Sequence, residues 1–258
     1  VPAFYVRELS DGSRVVAATI VDDLLVVYPP GTFDAGSDLH ASLASSFGRD
    51  EVKFVSMPEY FNGFVFKFLS NGAINISAAA KVRDSIVNHL PDGVNTAGML
   101  RGSKLQTALS ALEMEPVVDG APYAHTPESR EFLTIVGELR YPSVVDPSIA
   151  YALSLLSGVL SRPPSSSLLL ARSVLWQALG SCEVGLTYGG GLVCPCRPLV
   201  EKDKLIFDLR TSRERFVIAF CDAGWGSISG DRMGVLVMMG GAAVVCESKK
   251  HPAPVESS

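Results

Sequence analysis

VVAATIVDDLLVV, residues 15–27, places two adjacent carboxylates, Asp22 and Asp23, in the middle of an apolar run. The flanking residues are mostly β-branched or aliphatic, which predicts a strand on each side. Burying an unpaired carboxylate is costly, so the pair raises the question of what neutralises it. Asp is a favoured turn residue, and a polar corner between two strands fits the pattern. A tight corner that brings both carboxylates to one Mg²⁺ ion fits it as well.

The composition is that of a chain able to bury a sizeable core, since 47% of its 258 residues are hydrophobic and 19% are charged. Its net charge of −5 argues against a general nucleic-acid binder but is compatible with a local basic groove. Five widely spaced cysteines indicate a reducing compartment. No apolar run reaches the roughly 20 residues of a membrane-spanning helix, and no signal peptide opens the sequence. We therefore expect a protein that is neither secreted nor embedded in a membrane.

Turn and periodicity signals predict a sheet, then helices, then a second region of strands. The turn at residues 10–13 and the Asn71-Gly72 pair each lie between β-rich runs, which indicates two hairpins. Strand-forming residues return at 217–245. This order predicts an α+β fold. The apolar spacing predicts helices at residues 39–48, 78–90, 98–112, 129–141, 147–161 and 167–180.

The hexapeptide IVDDLL, residues 20–25, resembles the YVDD box of reverse transcriptases from copia-type LTR retrotransposons. Other segments resemble further boxes of that family, in the same order and at similar spacing. They are EYFNGFVF (59–66), EFLTIVGELRY (131–141), DPSIAYA (146–152), GLTY (185–188), CDAGWG (221–226) and AAVVCESKK (242–250). The chain therefore resembles the C-terminal part of a reverse transcriptase that runs into the start of ribonuclease H.

The resemblance implies a division of the chain into four parts. Residues 1–76 would be the C-terminal part of the palm, built of antiparallel strands, and residues 77–188 the helical thumb and connection. Residues 189–216 would be a linker. Residues 217–258 would be the first strands of a ribonuclease H-like mixed sheet.

The resemblance also implies a metal-dependent reaction, RNA-directed DNA synthesis. Asp22 would bind a metal ion directly and Asp23 would be its looser partner, with Mg²⁺ as the cofactor and Mn²⁺ as a substitute. In the family, two such ions coordinate both the primer 3′-hydroxyl and the phosphates of the incoming deoxynucleotide. The family's third aspartate lies on an earlier strand, and we expect this sequence to begin after it.

Asp222 maps onto the first metal-binding acid of ribonuclease H; the alternative, on its pattern alone, is a turn acid at a strand end. The family's next acids follow a box whose first two serines align with Ser257 and Ser258. We therefore expect the remaining ribonuclease H acids to be absent from this sequence.

Two further segments are candidates for nucleic-acid contact. Phe61, Asn62 and Gly63 match a segment that in the family forms a hairpin against the primer backbone; the residues alone are those of a simple hairpin. Lys249 and Lys250 close a strand, where they can contact a phosphate or only solvent. The implied partners are an RNA template, a DNA primer and deoxynucleotides, and the implied location is the cytoplasm, in a virus-like particle, or the nucleus.

Several positions depart from the family's pattern and weaken the case for activity. Ile20 replaces the Tyr of YVDD, Asp146 stands where the family has Arg, and Gly224 replaces an acid. In SLLLARSVLWQALGS only Arg172 remains where the family has several cations, and phosphate affinity depends on such cations. The alternative is an inactive retroelement remnant that acts at most as a nucleic-acid-binding or structural module. We expect no primer extension from this chain alone.

Overall fold

The computed structural model describes residues 3–20, 23–28, 33–48, 53, 55, 57–90, 96–112, 126–189, 217–224, 232–239 and 242–250. The chain divides into two compact units, Val1–Asn62 and Gly63–Ser258. Every strand pairing within the described ranges is antiparallel, and helices accompany the sheets in both units. The α+β class is therefore confirmed, while the palm, thumb and ribonuclease H assignments stay predictions.

The first unit contains a three-stranded sheet in the order β1-β2-β3. Its strands are β1 (Ala3–Glu8), β2 (Arg14–Ile20) and β3 (Asp23–Val27). The Asp11 carboxylate holds the first turn, because it accepts hydrogen bonds from the backbone N–H of Ser13 at 2.9 Å and from its hydroxyl at 2.5 Å. The hairpin predicted from residues 10–13 is confirmed.

A helix, α1 (Phe33–Phe47), follows the sheet, and the two-residue strand β4 (Tyr60–Phe61) ends the unit. The helix begins earlier than the Ser37-Asp38 cap that the sequence predicts. Short polar side chains are tolerated inside the first turns of a helix as well as at its N-cap, so the cap signal alone misplaced the start. The side chains of this unit are shallowly buried: among its described residues only Ala44 is fully buried.

The second unit opens with the strands β5 (Phe64–Phe68) and β6 (Ala73–Ser77), joined at Asn71-Gly72 as the sequence predicts. Asn71 Oδ1 accepts a hydrogen bond from Ala73 N at 3.0 Å, and Gly72 has a φ of +78°. The strand β7 (Leu186–Gly189) pairs with β6 after a long excursion of the chain. Gly185 permits this return, because its φ is +57° and an added Cβ would lie 2.3 Å from the Ile76 carbonyl oxygen.

Five helices of this unit, α2 to α6, pack their buried apolar side chains into one core. Their ranges are α2 (Ala79–His89), α3 (Gly102–Ala111), α4 (Pro127–Leu139), α5 (Ala150–Gly158) and α6 (Ser167–Ser181). All five were predicted, with ends that differ by a few residues. The α4 start shows a cap that fixes its position: Thr126 Oγ1 accepts from Ser129 N, and Pro127 occupies the first turn.

The predicted helix at residues 147–161 is shorter in the structure. A 3-10 turn, Pro147–Ile149, precedes α5, and the Asp146 carboxylate accepts from Ser148 N at 3.1 Å. Asp146, one of the departures from the family's pattern, therefore has a local structural role as a cap. The helix ends at Gly158, before the predicted residue 161.

A third sheet has the order β10-β9-β8, with β8 (Val217–Gly224), β9 (Arg232–Met239) and β10 (Ala242–Lys250). The strands predicted at residues 217–245 are confirmed, and β10 continues five residues further. β10 packs against α5, and Tyr188 Oη at β7 donates to the Ala243 carbonyl at 2.8 Å. Within the described part of the chain, no helix is long and apolar enough to cross a membrane.

Candidate functional site

The two-strand arrangement around the acidic pair follows the sequence prediction. Ile20, the last residue of β2, pairs directly with Asp23, the first residue of β3. Val21 and Asp22, which connect the two strands in sequence, lie outside the described residues. Asp23 has an exposed side chain. The strands on each side of the pair are confirmed, and convergence of the two carboxylates on one ion stays a prediction.

The exposure of Asp23 explains in part how a carboxylate is tolerated within this apolar run. The register puts Asp23 on the same sheet face as Leu25 and Val27, yet Val27 is itself 59% exposed. The carboxylate of Asp23 thus keeps its contact with water, and the desolvation that would make a buried carboxylate costly does not arise. Asp23 is accessible to a cation, and its place in the sheet does not require one.

Asp222 lies in β8 directly opposite Gly234 of β9, and its side chain is outside the described part of the structure. Asp23 belongs to the first unit and Asp222 to the second. Among the described residues no three His, Cys, Asp or Glu side chains form a group that could hold a metal ion. Of the predicted metal ligands, Asp23 is the one whose side chain the structure describes.

The segment Phe61-Asn62-Gly63 forms a tight turn between two strands. β4 ends at Phe61, Asn62 and Gly63 have φ values of +46° and +81°, and β5 begins at Phe64. Two successive central residues with positive φ are typical of a two-residue type I′ hairpin turn, in which Asn-Gly is strongly preferred. The turn is required both by a simple hairpin and by a hairpin that contacts the primer, and it is confirmed. Its contact with a primer stays a prediction.

Gly63 is buried, and two side chains of the second unit hold it in place. A Cβ added at Gly63 would lie 3.0 Å from Lys81 Cε and 3.0 Å from Tyr141 Cε1. The Tyr141 ring is in turn stacked on Phe64, with 4.5 Å between ring centroids and 18° between ring planes. Our sequence reasoning missed both side chains. Tyr141 does close one of the family-like segments, whereas no sequence signal marks Lys81.

The cations of β5 and α2 differ in their pairing. Lys67 of β5 and Arg83 of α2 both form ion pairs with Glu183, the former at 3.1 Å. The hydrogen bond from Lys67, together with the charge of Arg83, holds the pKa of the Glu183 carboxyl below its usual range. Lys81 is exposed, and within the described residues it forms no ion pair.

Lys249 and Lys250 are exposed at the end of β10, as expected whether they contact a phosphate or only solvent. The Lys249 ammonium lies 2.6 Å from the Glu247 carboxylate two residues earlier, so its charge is balanced locally. A phosphate that bound Lys249 would have to compete with this carboxylate. The nucleic-acid role of the two lysines stays a prediction.

Arg172, the cation that remains in α6, is used inside the protein. Its Nε and Nη2 atoms donate to Glu131 Oε1 of α4 at 3.0 and 2.6 Å. His89 of α2 approaches the same region, with Nδ1 3.7 Å from Glu131 and Nε2 3.3 Å from Glu138. This partly buried cluster ties α2, α4 and α6 together. Arg172 therefore acts as a structural cation rather than a free phosphate ligand.

Comparison with known proteins gives one similarity across nearly the whole chain. The sequence is 24% identical over 241 residues to an uncharacterized mitochondrial protein of Arabidopsis thaliana, AtMg00810. The match covers 92% of this chain and 84% of that protein. No family model matches the sequence. No solved structure matches it either. The similarity indicates a related protein of comparable extent and gives no activity, because the relative is itself uncharacterized.

Proposed function

We propose that this chain is the C-terminal part of a copia-type reverse transcriptase that continues into the first strands of ribonuclease H. The observation that carries the proposal is the register of β2 and β3, in which Ile20 pairs with Asp23. This register supports a two-residue corner at Val21-Asp22, the type of position from which neighbouring carboxylates can share a cation. The family-like segments that follow in order, from EYFNGFVF to AAVVCESKK, support the same origin.

Within this proposal, Asp22 and Asp23 are ligands for Mg²⁺, or for Mn²⁺ in its place, and Asp222 is the corresponding first acid of ribonuclease H. The ion would lower the pKa of the primer 3′-hydroxyl and stabilise the charge that develops on the phosphates. The protein's own contribution at the corner is a pair of hard oxygen ligands on a strand framework. Asp23, exposed at the start of β3, is available for that role.

Metal binding by the corner can be tested without any activity. We expect Mn²⁺ titrated into the full chain, followed by electron paramagnetic resonance, to lose binding in Asp22→Asn and in Asp23→Asn. Asp38→Asn is the matched control, because Asp38 is an exposed carboxylate on α1 in the same unit. Equal Mn²⁺ binding by the wild type and all three variants would contradict the metal assignment.

A second candidate is a module of the same origin that binds nucleic acid or serves structure without catalysis. It is favoured by the structural use of Arg172, the cation that remains in α6. On this candidate, the chain alone extends no primer on an RNA template in Mg²⁺. Extension that disappears in Asp22→Asn would exclude the inactive module and support the polymerase.

A further inference from the structure

We propose that Lys81 binds a backbone phosphate of the nucleic acid beside the Asn62-Gly63 turn, and that Tyr141 is the residue that positions it. This inference rests on the proposed function, since it names the side chain through which a template–primer would be held. Its structural basis is the contact of Lys81 and Tyr141 with Gly63 in the second unit.

The geometry places the Lys81 ammonium at the turn. An added Cβ at Gly63 would lie 3.1 Å from Lys81 Cγ and 3.0 Å from Lys81 Cε, so the side-chain stem crosses the glycine. The ammonium nitrogen is bonded to Cε and lies next to the turn. Long basic side chains commonly bury their stem on neighbouring atoms and keep the charged end in water. Lys81 is exposed as a residue, in agreement with this arrangement.

Tyr141 keeps the stem in this path. Its ring meets Gly63 from a second direction and is itself fixed by stacking on Phe64. The lysine stem and the aromatic ring therefore both pack on Gly63, and an added Cβ would force one of them to shift. A lysine held in this way loses less side-chain entropy when its ammonium binds an anion than a freely moving lysine would.

The charge of Lys81 is available, in contrast to that of its neighbours. Lys67 and Arg83 are both balanced by Glu183. Lys81 has no ion pair within the described residues, and α2 has no acidic side chain in its first turn. A cation in the first turn is unfavourable to a helix, because the helix dipole is positive there. An anionic partner would remove this penalty.

A phosphodiester is the anion that a solitary ammonium beside a hairpin turn suits best. Lysine binds phosphate as a point charge and reads no base, so the contact would hold the strand in register without selecting sequence. Such a contact is electrostatic and therefore weakens as the salt concentration rises, because the release of counterions from the nucleic acid then gains less free energy. The salt dependence of binding is thus the specific signature of this contact.

The test measures binding of the full chain to a fluorescein-labelled DNA primer annealed to RNA, by anisotropy over a range of salt concentrations. Loss of one phosphate contact lowers the binding constant roughly 5- to 10-fold at 0.1 M salt and reduces the salt slope by about 0.9. We expect this change in Lys81→Met, which keeps an unbranched stem without the charge, and rescue in Lys81→Arg. Tyr141→Leu should weaken binding while the number of released ions changes little.

Lys104→Gln is the matched control, because Lys104 is exposed on α3 and also forms no ion pair within the described residues. It should bind as the wild type does. If the wild type binds the hybrid and Lys81→Met binds equally well with the same salt slope, the inference fails while the proposed function stands. If the wild type shows no binding even at low salt, both fail. Circular dichroism of each variant would confirm that its secondary structure is retained.

Discussion

Replacement of Gly63 by Ala is the most direct perturbation of the packing around the Asn62-Gly63 turn. Two costs follow from the structure. The φ of +81° puts an alanine in the left-handed region, which is unfavourable by about 1–2 kcal/mol. The new Cβ also lies 3.0 Å from Lys81 Cε and Tyr141 Cε1, and overpacking of this kind typically costs about 1–3 kcal/mol. The lysine stem can move aside, whereas the Tyr141 ring is fixed by its stack on Phe64.

We therefore expect Gly63→Ala to lower the free energy of unfolding of the second unit by about 2–5 kcal/mol. Both tryptophans of the chain belong to this unit, so tryptophan fluorescence during urea unfolding reports on it. Gly72→Ala is the control, because Gly72 has a φ of +78° and an added Cβ meets nothing within 4 Å. Gly72→Ala should show the backbone cost alone, about 1–2 kcal/mol. Equal destabilisation by the two substitutions would refute the packing of Lys81 and Tyr141 on Gly63.

Two further predictions concern the ion pairs of the second unit. Arg172→Met should lower the free energy of unfolding by about 1–3 kcal/mol, because it leaves the Glu131 carboxylate partly buried without its guanidinium; an unchanged urea midpoint would contradict this. The lowered pKa of Glu183 gives stability that is present above its ordinary value near pH 4.5 and is lost as the pH falls through the folded value. Glu183→Gln should therefore be less stable than the wild type at neutral pH and should lose less stability as the pH is lowered into the acid range. An equally steep loss of stability in that variant would show that other groups cause it.

The local signals of the sequence predicted most of the elements. The hairpin at Asn71-Gly72 was predictable because a few adjacent residues decide its turn: Gly72 has a φ of +78°, and its N–H donates to the Leu69 carbonyl at 3.0 Å. The apolar spacing in residues 129–141 predicted α4 because one face of that helix is buried. The sequence located the ends of the helices less accurately than their middles. The α5 start depended on the Asp146 side chain and Pro147, and a competing 3-10 turn took the first three residues.

Long-range contacts could not be predicted from such signals. The strand β7 returns to β6 after more than a hundred residues, and Asn75 Nδ2 fixes the return by donating to Val184 O and Thr187 Oγ1, both at 2.9 Å. Nothing local in GLTY indicates that partner. The candidate site shows the same limit: the turn at Asn62-Gly63 was predicted from neighbours in sequence, while Lys81 and Tyr141 reach Gly63 from two other elements.

The use of cations within the protein bears on how strongly any nucleic acid can bind. Arg14, Lys67, Arg83, Arg172 and Lys249 are each within 4 Å of a carboxylate, so phosphates would have to displace those partners. Because the net charge is −5 and these five cations already have carboxylate partners, we expect a modest electrostatic part of binding, to which an exposed lysine such as Lys81 contributes measurably. A complex that stays tight at high salt would therefore depend on stacking or base contacts rather than on Lys81. A complex that dissociates steeply with salt would indicate phosphate contacts by several further cations. The shallow slope expected here, reduced further in Lys81→Met, distinguishes the proposed contact from both.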